Sequence, residues 1–510
     1  MGAIIGIDLG TTTSEISYLK DGRPQIIKNK SGESFTFSVV GMTESGGVVI
    51  GHEAKKQLVI KPENTIAEVK RLMGRDVKIN LGKNSYFPQD ISAVILKYLK
   101  ECAEDYLNEE VTEAVITVPA KFNNLQRQAT RDAATIAGLK VERIINEPTA
   151  AALAYGIDNY GSEERILVYD LGGGTFDVTV LEMFEGVLDV KASRGNNEIG
   201  GKDFDERIME FIFCTIQEQQ GINLRDDLRV KALVKEAAEK AKVKLSKADT
   251  ASINIPLLIP YENGLLMNFQ MEITRIQFEM LISDLLNEID IIVEDTLRAW
   301  GFSAEDIDVV IPVGGSTRNM CVRKYLENKF EGRVKSGINP EEVVALGAAV
   351  QAGIKSGVLN KDSDIIITDV CPYSLGVSVL ERMANGKEVS GIFSPIIKID
   401  TAIPVTRHRH YVTSKDRQTS IRFDIYQGEE VLVLNNKKIG ELILRGIPSA
   451  PAGQEAVRVE FSYDINGLLN VNGRVESTGK EVSIIINTRS MSDSDINKSK
   501  INLKRRWRRT

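Results

Sequence analysis

The sequence predicts an α/β fold of two related lobes, followed by a smaller all-β domain. The main observation is a hairpin that occurs twice: Asp8-Leu-Gly10 and Asp170-Leu-Gly-Gly-Gly174 each follow an apolar strand, precede hydroxyl residues and return into a second strand. A second observation is the alternation of strands and helices up to residue 360, which changes from residue 371 to alternating strands with tight turns. Two copies of one hairpin indicate two half-domains that face one ligand.

The triglycine hairpin has the composition of a phosphate site. Residues 166–171 and 176–181 are rich in β-branched and aromatic residues, as buried strands are, and three glycines precede Thr175 between them. Residues without a Cβ can turn their N–H groups into one concavity that attracts phosphate oxygens. A plain glycine turn explains this hairpin equally well when it is considered alone. Its repetition at Gly10 favours the phosphate site.

Carboxylates and hydroxyls flank the glycine loops. Asp8 and Asp170 each end an incoming strand, and Thr175 and Asp177 begin an outgoing one. A carboxylate ~4 Å from a phosphate is repelled by about 4 kcal/mol at an effective dielectric of ~20. Mg²⁺ removes that conflict, because it accepts one or two carboxylates together with phosphate oxygens and water. The hairpins are not P-loops, since no G-x-x-x-x-G-K-[ST] occurs and the glycines lead into a strand.

Composition and charge exclude several classes of protein. The chain has 510 residues, is 42% hydrophobic and carries 64 basic against 71 acidic residues, so no overall basic field favours nucleic acid. Four scattered cysteines without C-x-x-C spacing predict neither a disulfide framework nor a zinc site, and they fit a reducing cytoplasm. Three histidines and no G-x-S-x-G motif give no support to a triad hydrolase. We predict no signal peptide and no membrane span.

In the first lobe, strands and helices alternate. We predict a helix over 65–75, closed by Gly74 and with Lys70 on a solvated face, and an amphipathic helix over 89–107. Glu147, just before a further helix, either favours that helix N-terminus electrostatically or polarises a water molecule. The remaining predicted elements are a strand at 114–118 that ends at Pro119, a helix at 125–137, a strand at 141–145 and a helix at 150–155.

The second lobe repeats the pattern with longer helices. On one of them Glu239, Lys242 and Ser246 share a face, which on spacing alone is typical of an ordinary charged surface. Residues 308–318 predict a strand, a Gly-Gly turn and a hydroxyl-rich helix start, a geometry that suits a ribose or adenine. Helices are predicted over 203–220, 228–247 and 339–351, the last with small residues that allow close packing.

The all-β domain and the segment before it have distinct patterns. Residues 420–426 alternate apolar and polar side chains, and Asn466-Gly467 and Asn472-Gly473 predict hairpin turns. Residues 362–369 carry three isoleucines between acidic residues. A pure linker would be polar, so we expect this segment to dock as a strand.

With these residues in view, the chain resembles the seventy-kilodalton heat-shock chaperones, the DnaK family. The resemblance covers nearly all of residues 1–490, and residues 368–376, 390–395 and 463–467 look most like its HscC branch. It implies an actin-like ATPase domain over 1–360 with nucleotide between two lobes, a hydrophobic linker over 361–369 and a β-sandwich peptide-binding domain over 370–490. The motifs that carry it are Gly6-Ile-Asp-Leu-Gly-Thr-Thr12, Asn146-Glu-Pro-Thr-Ala-Ala-Ala152, Asp170-Leu-Gly-Gly-Gly-Thr-Phe-Asp177 and Val313-Gly-Gly-Ser-Thr-Arg318.

The resemblance implies roles for individual residues. The implied catalytic residues are Lys70, Glu147, Thr175 and Asp177, with Asp8 and Asp170 around Mg²⁺. The implied nucleotide contacts are Gly10, Thr11, Thr12, Thr13, Gly172, Gly173, Gly174, Thr175, Gly200, Gly201, Glu239, Lys242, Ser246, Gly314, Gly315, Ser316 and Arg318. The implied interdomain relay is Pro119, Arg127, Ile365, Ile366 and Ile367, and the implied peptide groove is Val377, Val379, Leu380 and Ile425.

The implied activity is that of a cytoplasmic ATP-dependent chaperone. ATP and ADP with Mg²⁺, and K⁺ as a further candidate ion, would control the binding of extended apolar polypeptides, with a J-domain co-chaperone as partner. The segment 75–88 is shorter than in many members, which leaves a nucleotide-exchange factor open, and Thr13 stands where Asn is common. The family's helical lid is expected to be absent. In its place we expect a disordered basic tail over 491–510, as a solubilising terminus that binds no specific nucleic acid.

Two other functions belong to the same ATPase class. A small-molecule kinase would carry paired phosphate hairpins and a polar sugar site, but it would not need the separate β domain. A filament-forming protein would need self-association surfaces that a sequence does not reveal.

Overall fold

The computed structural model describes residues 3–159, 161–260, 266–359, 366–382, 386–485 and 491–506. The helices are α1 His52–Ile60, α2 Pro88–Leu107, α3 Asn124–Ala137, α4 Glu147–Gly156, α5 Gly201–Gln220, α6 Leu228–Leu245, α7 Arg275–Leu281, α8 Ser283–Arg298, α9 Met320–Phe330, α10 Val343–Ser356 and α11 Asp493–Arg506. The first strands are β1 Ile4–Leu9, β2 Thr13–Lys20, β3 Arg23–Ile27, β4 Thr36–Phe37, β5 Val39–Met42, β6 Val48–Ile50, β7 Thr65–Ala67, β8 Ile79–Leu81, β9 Asn84–Tyr86, β10 Glu113–Val118 and β11 Lys140–Asn146. The next are β12 Glu164–Leu171, β13 Phe176–Phe184, β14 Val187–Asn196, β15 Thr250–Pro260, β16 Leu266–Thr274, β17 Val309–Val313 and β18 Ile366–Ile367. The last are β19 Asp369–Val370, β20 Leu375–Arg382, β21 Glu388–Ile397, β22 Ala402–Ile403, β23 Val405–Val412, β24 Ser420–Gln427, β25 Lys437–Arg445, β26 Ala456–Tyr463, β27 Leu469–Val475 and β28 Glu481–Ile485.

Two lobes share one strand arrangement. In the first lobe β1 forms an antiparallel hairpin with β2, β2 pairs with β3, and β1 pairs in parallel with β10. In the second lobe β12 forms a hairpin with β13, β13 pairs with β14, and β12 pairs in parallel with β17. This repeat confirms the predicted pair of related half-domains. It also places the two glycine loops at equivalent hairpin turns.

Helices α4 and α10 pack against each other; α4 also contacts strands of both lobes, and α10 contacts strands of the first lobe. Gly347 allows this approach, because a Cβ there would lie 1.7 Å from the carbonyl oxygen of Ala150. Ser17 of β2 donates a hydrogen bond to the carbonyl oxygen of Ala345 at 2.5 Å. The small residues predicted to permit close packing therefore do so, in a helix that begins at Val343.

The second domain is a β-sandwich of two four-stranded sheets, in the orders β21-β20-β24-β25 and β23-β26-β27-β28. Its core contains side chains from both sheets, including Phe423 and Leu442 from one and Phe461 and Val471 from the other. The Asn466-Gly467 turn joins β26 to β27 as predicted. The turn predicted at Asn472-Gly473 is wrong, because both residues lie within β27. The glycine there makes room for the opposite sheet: a Cβ at Gly473 would lie 2.7 Å from Leu442 Cδ2.

The isoleucine segment docks on the second lobe. Strand β18 pairs in parallel with β14, with Ile366 opposite Val187 and Ile367 opposite Leu188. The backbone N–H of Thr368 continues this pairing with a hydrogen bond to the Leu188 carbonyl at 3.0 Å. The expected docking is thus confirmed for residues 366–367. Ile365, which the relay prediction included, lies outside the described residues.

The helix predicted over 65–75 is wrong. Residues 65–67 form β7, which pairs with β5, and Val69–Leu72 is a short 3-10 turn. Glu68 separates the two with a φ of 61°, a left-handed conformation that interrupts any helix. Gly74 closes the turn with a φ of 75°. As a consequence Lys70 is buried, whereas a helical face would have exposed it.

The expectation of a disordered tail is wrong for residues 491–506. Helix α11 packs against α2 and α3 of the first lobe. Met491, Ile496 and Leu503 are buried in the core of that lobe, and Ser492 caps the helix by accepting a hydrogen bond from the N–H of Asp495 at 3.1 Å. Ile496 and Leu503 are seven residues apart and so lie on one helical face. A run of basic residues is typical of a solvated tail, but here it belongs to a helix with a buried apolar face.

In the part of the chain that the structure describes, no helix is both long and apolar enough to cross a membrane. The four cysteines are free, as their spacing predicted; Cys102, Cys321 and Cys371 are buried and Cys214 is exposed.

Candidate active site

The two hairpin loops meet face to face. A Cβ at Gly173 would lie 2.0 Å from Thr12 Oγ1, and a Cβ at Gly174 would lie 2.8 Å from Thr11 Cγ2. The start of α5 closes the arrangement, because a Cβ at Gly200 would lie 2.5 Å from the backbone nitrogen of Gly174. The backbone contact leaves no room for a Cβ at Gly200, whereas a Cβ at Gly173 or Gly174 would displace the threonine side chains of the facing loop. These contacts leave a surface of backbone atoms and threonine hydroxyls between the lobes, as the sequence predicted.

Lys70 and Glu147 form a buried ion pair beside these loops. Lys70 Nζ lies 2.5 Å from Glu147 Oε1, and their side chains are 6% and 9% exposed. Burial acts to lower the pKa of Lys70, but the Glu147 and Asp8 carboxylates outweigh it and raise that pKa above its ordinary value. Lys70 is therefore a fixed cation. The two residues come from a 3-10 turn and from the N-terminus of α4, so no sequence spacing indicates that they meet.

Three aspartates lie around the same point, the half-buried Asp8 and the buried Asp170 and Asp177. Asp8 Oδ1 accepts a hydrogen bond from Thr117 Oγ1 at 2.6 Å, and Asp177 Oδ2 accepts one from the N–H of Ala120 at 3.0 Å. Asp170 Oδ2 and Asp177 Oδ1 are buried without a hydrogen-bond partner. Burial and the neighbouring Glu147 and Asp177 carboxylates raise the pKa of Asp170 well above its ordinary value. Burial followed by Glu147 raises the pKa of Asp177 to about 8.

This aspartate cluster fits a divalent cation bound together with phosphate. Unpaired carboxylate oxygens are costly in a buried site, and a cation would stabilise their charge. Among the described residues no group of three or more His, Cys, Asp or Glu side chains is arranged to hold a metal alone. Mg²⁺ typically uses one or two carboxylates and takes its remaining ligands from phosphate and water. Asp8 and Asp170 match that requirement.

The residues predicted for the adenosine side converge on the start of α5. Lys242 Nζ donates to the carbonyl oxygen of Gly201 at 2.7 Å and lies 2.7 Å from Asp205 Oδ1. Ser316 Oγ donates to the carbonyl oxygen of Gly172 at 2.8 Å. The structure therefore brings the α6 face, the triglycine loop and the 314–318 turn together. In that turn Gly314 has a φ of 81° and packs against the Leu171 backbone.

The other predicted nucleotide residues lie nearby with partners of their own. Ser246 Oγ donates to the Lys242 carbonyl at 3.3 Å, and Arg318 donates to Asn339 Oδ1 at 2.8 Å from a half-exposed position. Gly315 packs against the side chain of Glu341. Gly10 and Thr13 form the turn of the first hairpin, where a Cβ at Gly10 would lie 2.1 Å from the Thr13 carbonyl oxygen.

An open cleft separates the lobes above the loops. Its volume is about 1900 Å³, and its lining includes Thr11, Thr12, Lys202 and Glu239. Lys70 and the three aspartates are not among the residues that line it, and Lys70, Asp170 and Asp177 are buried. The cleft gives access to the loops from the side of α1 and α6.

Sequence reasoning missed the ion pairs that join the lobes. Arg71 Nη2 lies 2.6 Å from Asp203 Oδ2 and donates to the Gly174 carbonyl at 3.1 Å. Two further pairs cross the cleft, Lys55 with Glu239 at 2.9 Å and Lys235 with Glu68 at 2.6 Å. Each pair joins residues more than a hundred positions apart, so single-sequence patterns contain no signal for them.

Comparison with known proteins identifies the family. A family model described as Hsp70 protein matches residues 4–80 and 75–505. The chain belongs to the Hsp70 family. A chaperone protein DnaK from Thermotoga petrophila is 43% identical over 494 residues, which cover 96% of this chain and 81% of that relative.

The protein is therefore an ATP-dependent molecular chaperone and an ATPase. This Hsp70 binds nucleotide with a divalent metal and acts on unfolded polypeptides together with co-chaperones. The predicted fold, an actin-like ATPase domain followed by a β-sandwich, is confirmed. The kinase and filament alternatives are not favoured.

Arg127, one of the residues predicted as an interdomain relay, belongs to a buried hydrogen-bond network. Arg127 donates to the Ala120 carbonyl at 3.1 Å and to Asn146 Oδ1 at 2.6 Å. Asn146 Nδ2 in turn donates to Asp369 Oδ2 at 2.8 Å, and Asp369 follows the docked linker strand by two residues. Pro119 lies at the start of the same 119–123 segment, directly after β10.

The peptide-groove prediction is wrong for two of its four residues. Val377 and Ile425 have no exposed surface and belong to the sandwich core, because their strands point them between the two sheets. Val379 is half-buried and Leu380 is 46% exposed. The apolar surface of this domain instead includes Val431 and Leu434, which are 70% and 85% exposed. The N–H of Phe393 holds that segment by donating to the Val431 carbonyl.

Proposed function

We propose that the two hairpins of this Hsp70 bind the phosphates of ATP with Mg²⁺, and that hydrolysis there controls the grip of the β-sandwich on extended apolar polypeptide. The observation that carries the proposal is the convergence of Asp8, Asp170 and Asp177 with Lys70 at the junction of the loops. Two of the aspartates have a buried oxygen without a partner. When bound, the metal ion would neutralise charge that develops on the phosphates.

Lys70, Glu147 and Asp177 are the residues we assign to hydrolysis. Lys70 offers a fixed cation for the γ-phosphate and the attacking water, because its pKa is raised and its ammonium is held by Glu147. Glu147 orients Lys70 and accepts hydrogen bonds from that water. Asp177 is held by the Ala120 N–H, which leaves its Oδ1 to orient the same water. Thr175 begins the outgoing strand and supplies a hydroxyl at the loop.

We assign the adenosine to the site formed by Glu239, Lys242, Ser246 and the 314–318 turn. Lys242 and Ser316 already lie against the Gly201 and Gly172 backbone. Cations and hydroxyls beside a helix N-terminus suit a phosphorylated sugar.

Interdomain control would run through the docked linker and Asp369. The β18–β14 pairing and the Asn146–Asp369 hydrogen bond join the β domain to residues adjacent to Glu147. A ligand that binds the docked state more tightly shifts the docking equilibrium towards that state. It thereby changes the affinity of the other site for its own ligand. For the polypeptide we propose the surface around Leu380, Val431 and Leu434, since exposed apolar side chains beside a strand suit an extended apolar segment.

We further propose a J-domain protein as the co-chaperone and the cytoplasm as the location. Four free cysteines fit a reducing compartment.

Single-turnover hydrolysis tests the proposed function. Purified protein is mixed with ATP, with Mg²⁺ titrated from none to excess, in the presence and absence of an unfolded apolar heptapeptide. We expect Mg²⁺-dependent ATP binding, slow hydrolysis and stimulation by the peptide. Hydrolysis that the peptide does not change would contradict the coupling, and binding that ignores Mg²⁺ would contradict the metal assignment.

A further inference from the structure

Lys121 is a buried lysine at the boundary between the ATPase lobes and the β domain. Its side chain is almost completely buried. Nζ donates a hydrogen bond to the carbonyl oxygen of Pro372 at 2.7 Å and lies 4.5 Å from the ring centroid of Tyr373. The Tyr373 hydroxyl donates back to the Lys121 carbonyl at 3.0 Å. Lys121 thus contacts the first residues of the β domain through both its side chain and its backbone.

The same short segment contacts the candidate active site. The N–H of Ala120 donates to Asp177 Oδ2 at 3.0 Å, and the backbone of Lys121 also acts to lower the pKa of that carboxyl group. Asn197 of the second lobe donates to the Lys121 carbonyl at 3.1 Å. Residues 120–121 therefore bridge Asp177 and the Pro372–Tyr373 backbone. A shift of this segment when the β domain leaves would move the donors that orient Asp177.

The environment of Lys121 is unusual for an ammonium. Among the residues that the structure describes, no carboxylate forms an ion pair with it, although ammonium groups are rarely buried without one. The charged groups that face it are Arg194 of β14, Asp177 of β13, Asp400 after β21 and Glu429 after β24. Arg194 and Asp400 are bound to each other at 2.6 Å, which removes much of the attraction that Asp400 would supply. Burial followed by Arg194 lowers the pKa of Lys121 to about 8.

We propose that Lys121 is a positioning residue that joins docking of the β domain to the alignment of Asp177, and that docking at alkaline pH releases its proton. The proposal rests on the assignment of Asp177 to hydrolysis. The Pro372 carbonyl accepts a hydrogen bond from a neutral amine as well as a stronger one from an ammonium, so the contact persists when the proton leaves.

The sign of the pH effect follows from the two states. When the domains separate, Lys121 reaches water and regains an ordinary pKa near 10.4. Between about pH 8 and that value the undocked state carries one more proton at this residue than the docked state. Docking is therefore favoured as pH rises through this window, by at most about tenfold per pH unit in the equilibrium constant. Below pH 8 both states are protonated and the contribution is constant.

Two neighbouring groups act in the opposite direction. Burial raises the pKa of both Cys371 and Tyr373 to about 12, so their ionisation in an undocked state would oppose docking at high pH. The difference between wild type and a variant without the amine isolates the contribution of Lys121. Lys121→Met has a side chain of similar length and no charge, and Lys121→Arg keeps a charge that does not titrate in this range.

The test measures docking and hydrolysis in the full chain. Fluorescence energy transfer between probes at Glu218→Cys and Lys415→Cys, in a Cys214→Ser background, reports docking with ATP and Mg²⁺ from pH 7 to 9.5. Both labelled positions are exposed. Lys240→Met, at a lysine that is 73% exposed on α6, is the matched control. We expect the docking constant of wild type and of the control to rise above pH 8 relative to Lys121→Met and Lys121→Arg. We also expect Lys121→Met to lower kcat several-fold with KM for ATP unchanged, and Lys121→Arg to recover part of kcat.

Several results would overturn the proposal. Equal pH dependence of docking in wild type and Lys121→Met would contradict the proposed release of the Lys121 proton. If Lys121→Met reduced docking but left kcat unchanged, the proposed coupling between docking and the alignment of Asp177 would be contradicted. A wild-type protein that neither hydrolyses ATP nor docks in response to it would instead contradict the proposed function itself, and with it the basis of this inference.

Discussion

Asn146 and Asp369 connect the nucleotide site to the linker through one buried hydrogen bond. Asn146 Nδ2 donates to Asp369 Oδ2 at 2.8 Å, and Thr149 Oγ1 donates to the same oxygen at 3.2 Å. Asn146 precedes Glu147 in the chain, and Asp369 follows the docked strand by two residues. A movement of the linker therefore shifts the N-terminus of α4, which carries Glu147 of the Lys70–Glu147 pair.

Replacement of Asp369 tests this connection. Asp369→Ala leaves the Asn146 and Thr149 donors without an acceptor in a buried site, which typically costs about 1–3 kcal/mol per unsatisfied group. We expect docking to weaken and peptide stimulation of ATP turnover to fall at least tenfold, while ATP binding stays the same. Asp369→Asn is the matched control, because its side chain retains an acceptor oxygen. Equal loss in both variants would show that the charge, and not the acceptor, matters.

Lys70→Met should abolish hydrolysis without abolishing ATP binding. The phosphate loops remain, whereas a cation that acts near the transition state is removed, so we expect single-turnover hydrolysis to fall by about 100-fold or more. The variant also leaves the buried Glu147 carboxylate unpaired, which lowers the free energy of unfolding by about 3–5 kcal/mol. Lys70→Met with Glu147→Gln should restore that stability but not the rate, as thermal unfolding and quenched-flow measurements would reveal. Hydrolysis at the wild-type rate by a folded Lys70→Met protein would remove Lys70 from this role.

Asp8→Asn should weaken the Mg²⁺ dependence of ATP binding. The amide oxygen carries no full charge, so the ion would be bound less tightly while the glycine loops are unchanged. We expect the Mg²⁺ midpoint, measured with a fluorescent ATP analogue, to move to higher concentration by about tenfold. Asp21→Asn, at an exposed residue in the turn after β2, serves as the control. An unchanged midpoint in Asp8→Asn would contradict the metal assignment.

The ion pairs across the cleft should slow nucleotide release. Lys55–Glu239 and Lys235–Glu68 hold the lobes together and are partly exposed, so each is worth about 0.2–1 kcal/mol. Lys55→Gln and Glu68→Gln should each speed ADP release by up to about fivefold, and added salt should reproduce part of the effect in wild type. A double-mutant cycle of Lys235 with Glu68 measures the coupling. Additive effects in that cycle would mean that the pair does not hold the cleft closed.

These pairs also predict how release depends on pH. Burial acts to raise the pKa of Glu239 and of Glu68, but nearby lysines outweigh it and lower both pKa values. A carboxyl group whose pKa is lowered in the closed cleft stabilises that state at every pH above its ordinary pKa of about 4.3. This contribution is lost as the pH falls through the lowered pKa of the closed state. Their effect is therefore constant between pH 6 and 9. A change of docking above pH 8 has to come from other groups, Lys121 among them.

Much of this fold follows from local sequence patterns. The Asp-Leu-Gly hairpins at Gly10 and Gly172 could be identified because their strands, glycines and hydroxyls are contiguous in the chain. The pattern failed at 65–75, where β7 pairs with β5 and Glu68 adopts a positive φ, because a pairing with a distant strand outweighs helical periodicity. In the β domain, the alternation of apolar and polar residues indicated which side chains share one face of a strand. It did not indicate whether that face lies in the core or lines a groove, and Val377 lies in the core.

The site was predicted least well where it depends on contacts between lobes. Arg71, Asp203 and the pairs across the cleft are separated widely in sequence, and only the folded chain brings them together. Assignment to the HscC branch stays a prediction.

The two linker isoleucines should differ, which gives the sharpest test of the docked strand. Ile367 is partly buried and packs against the core cluster that contains residues of α4 and α10, whereas the Ile366 side chain is 56% exposed. An aspartate at 367 would place a lone carboxylate against apolar side chains in the docked state, but an aspartate at 366 would keep its charge in water. We expect Ile367→Asp to abolish docking and peptide stimulation of ATP turnover, with ATP binding and peptide binding each retained. Ile366→Asp should reduce peptide stimulation of ATP turnover by at most a few-fold, since the strand pairing with Val187 uses the backbone of residue 366 alone. Energy transfer between the lobes and the β domain, measured beside ATP turnover, reports both effects. Equal loss in the two variants would mean that charge anywhere in the linker disrupts docking, and equal retention would mean that the linker is a passive tether.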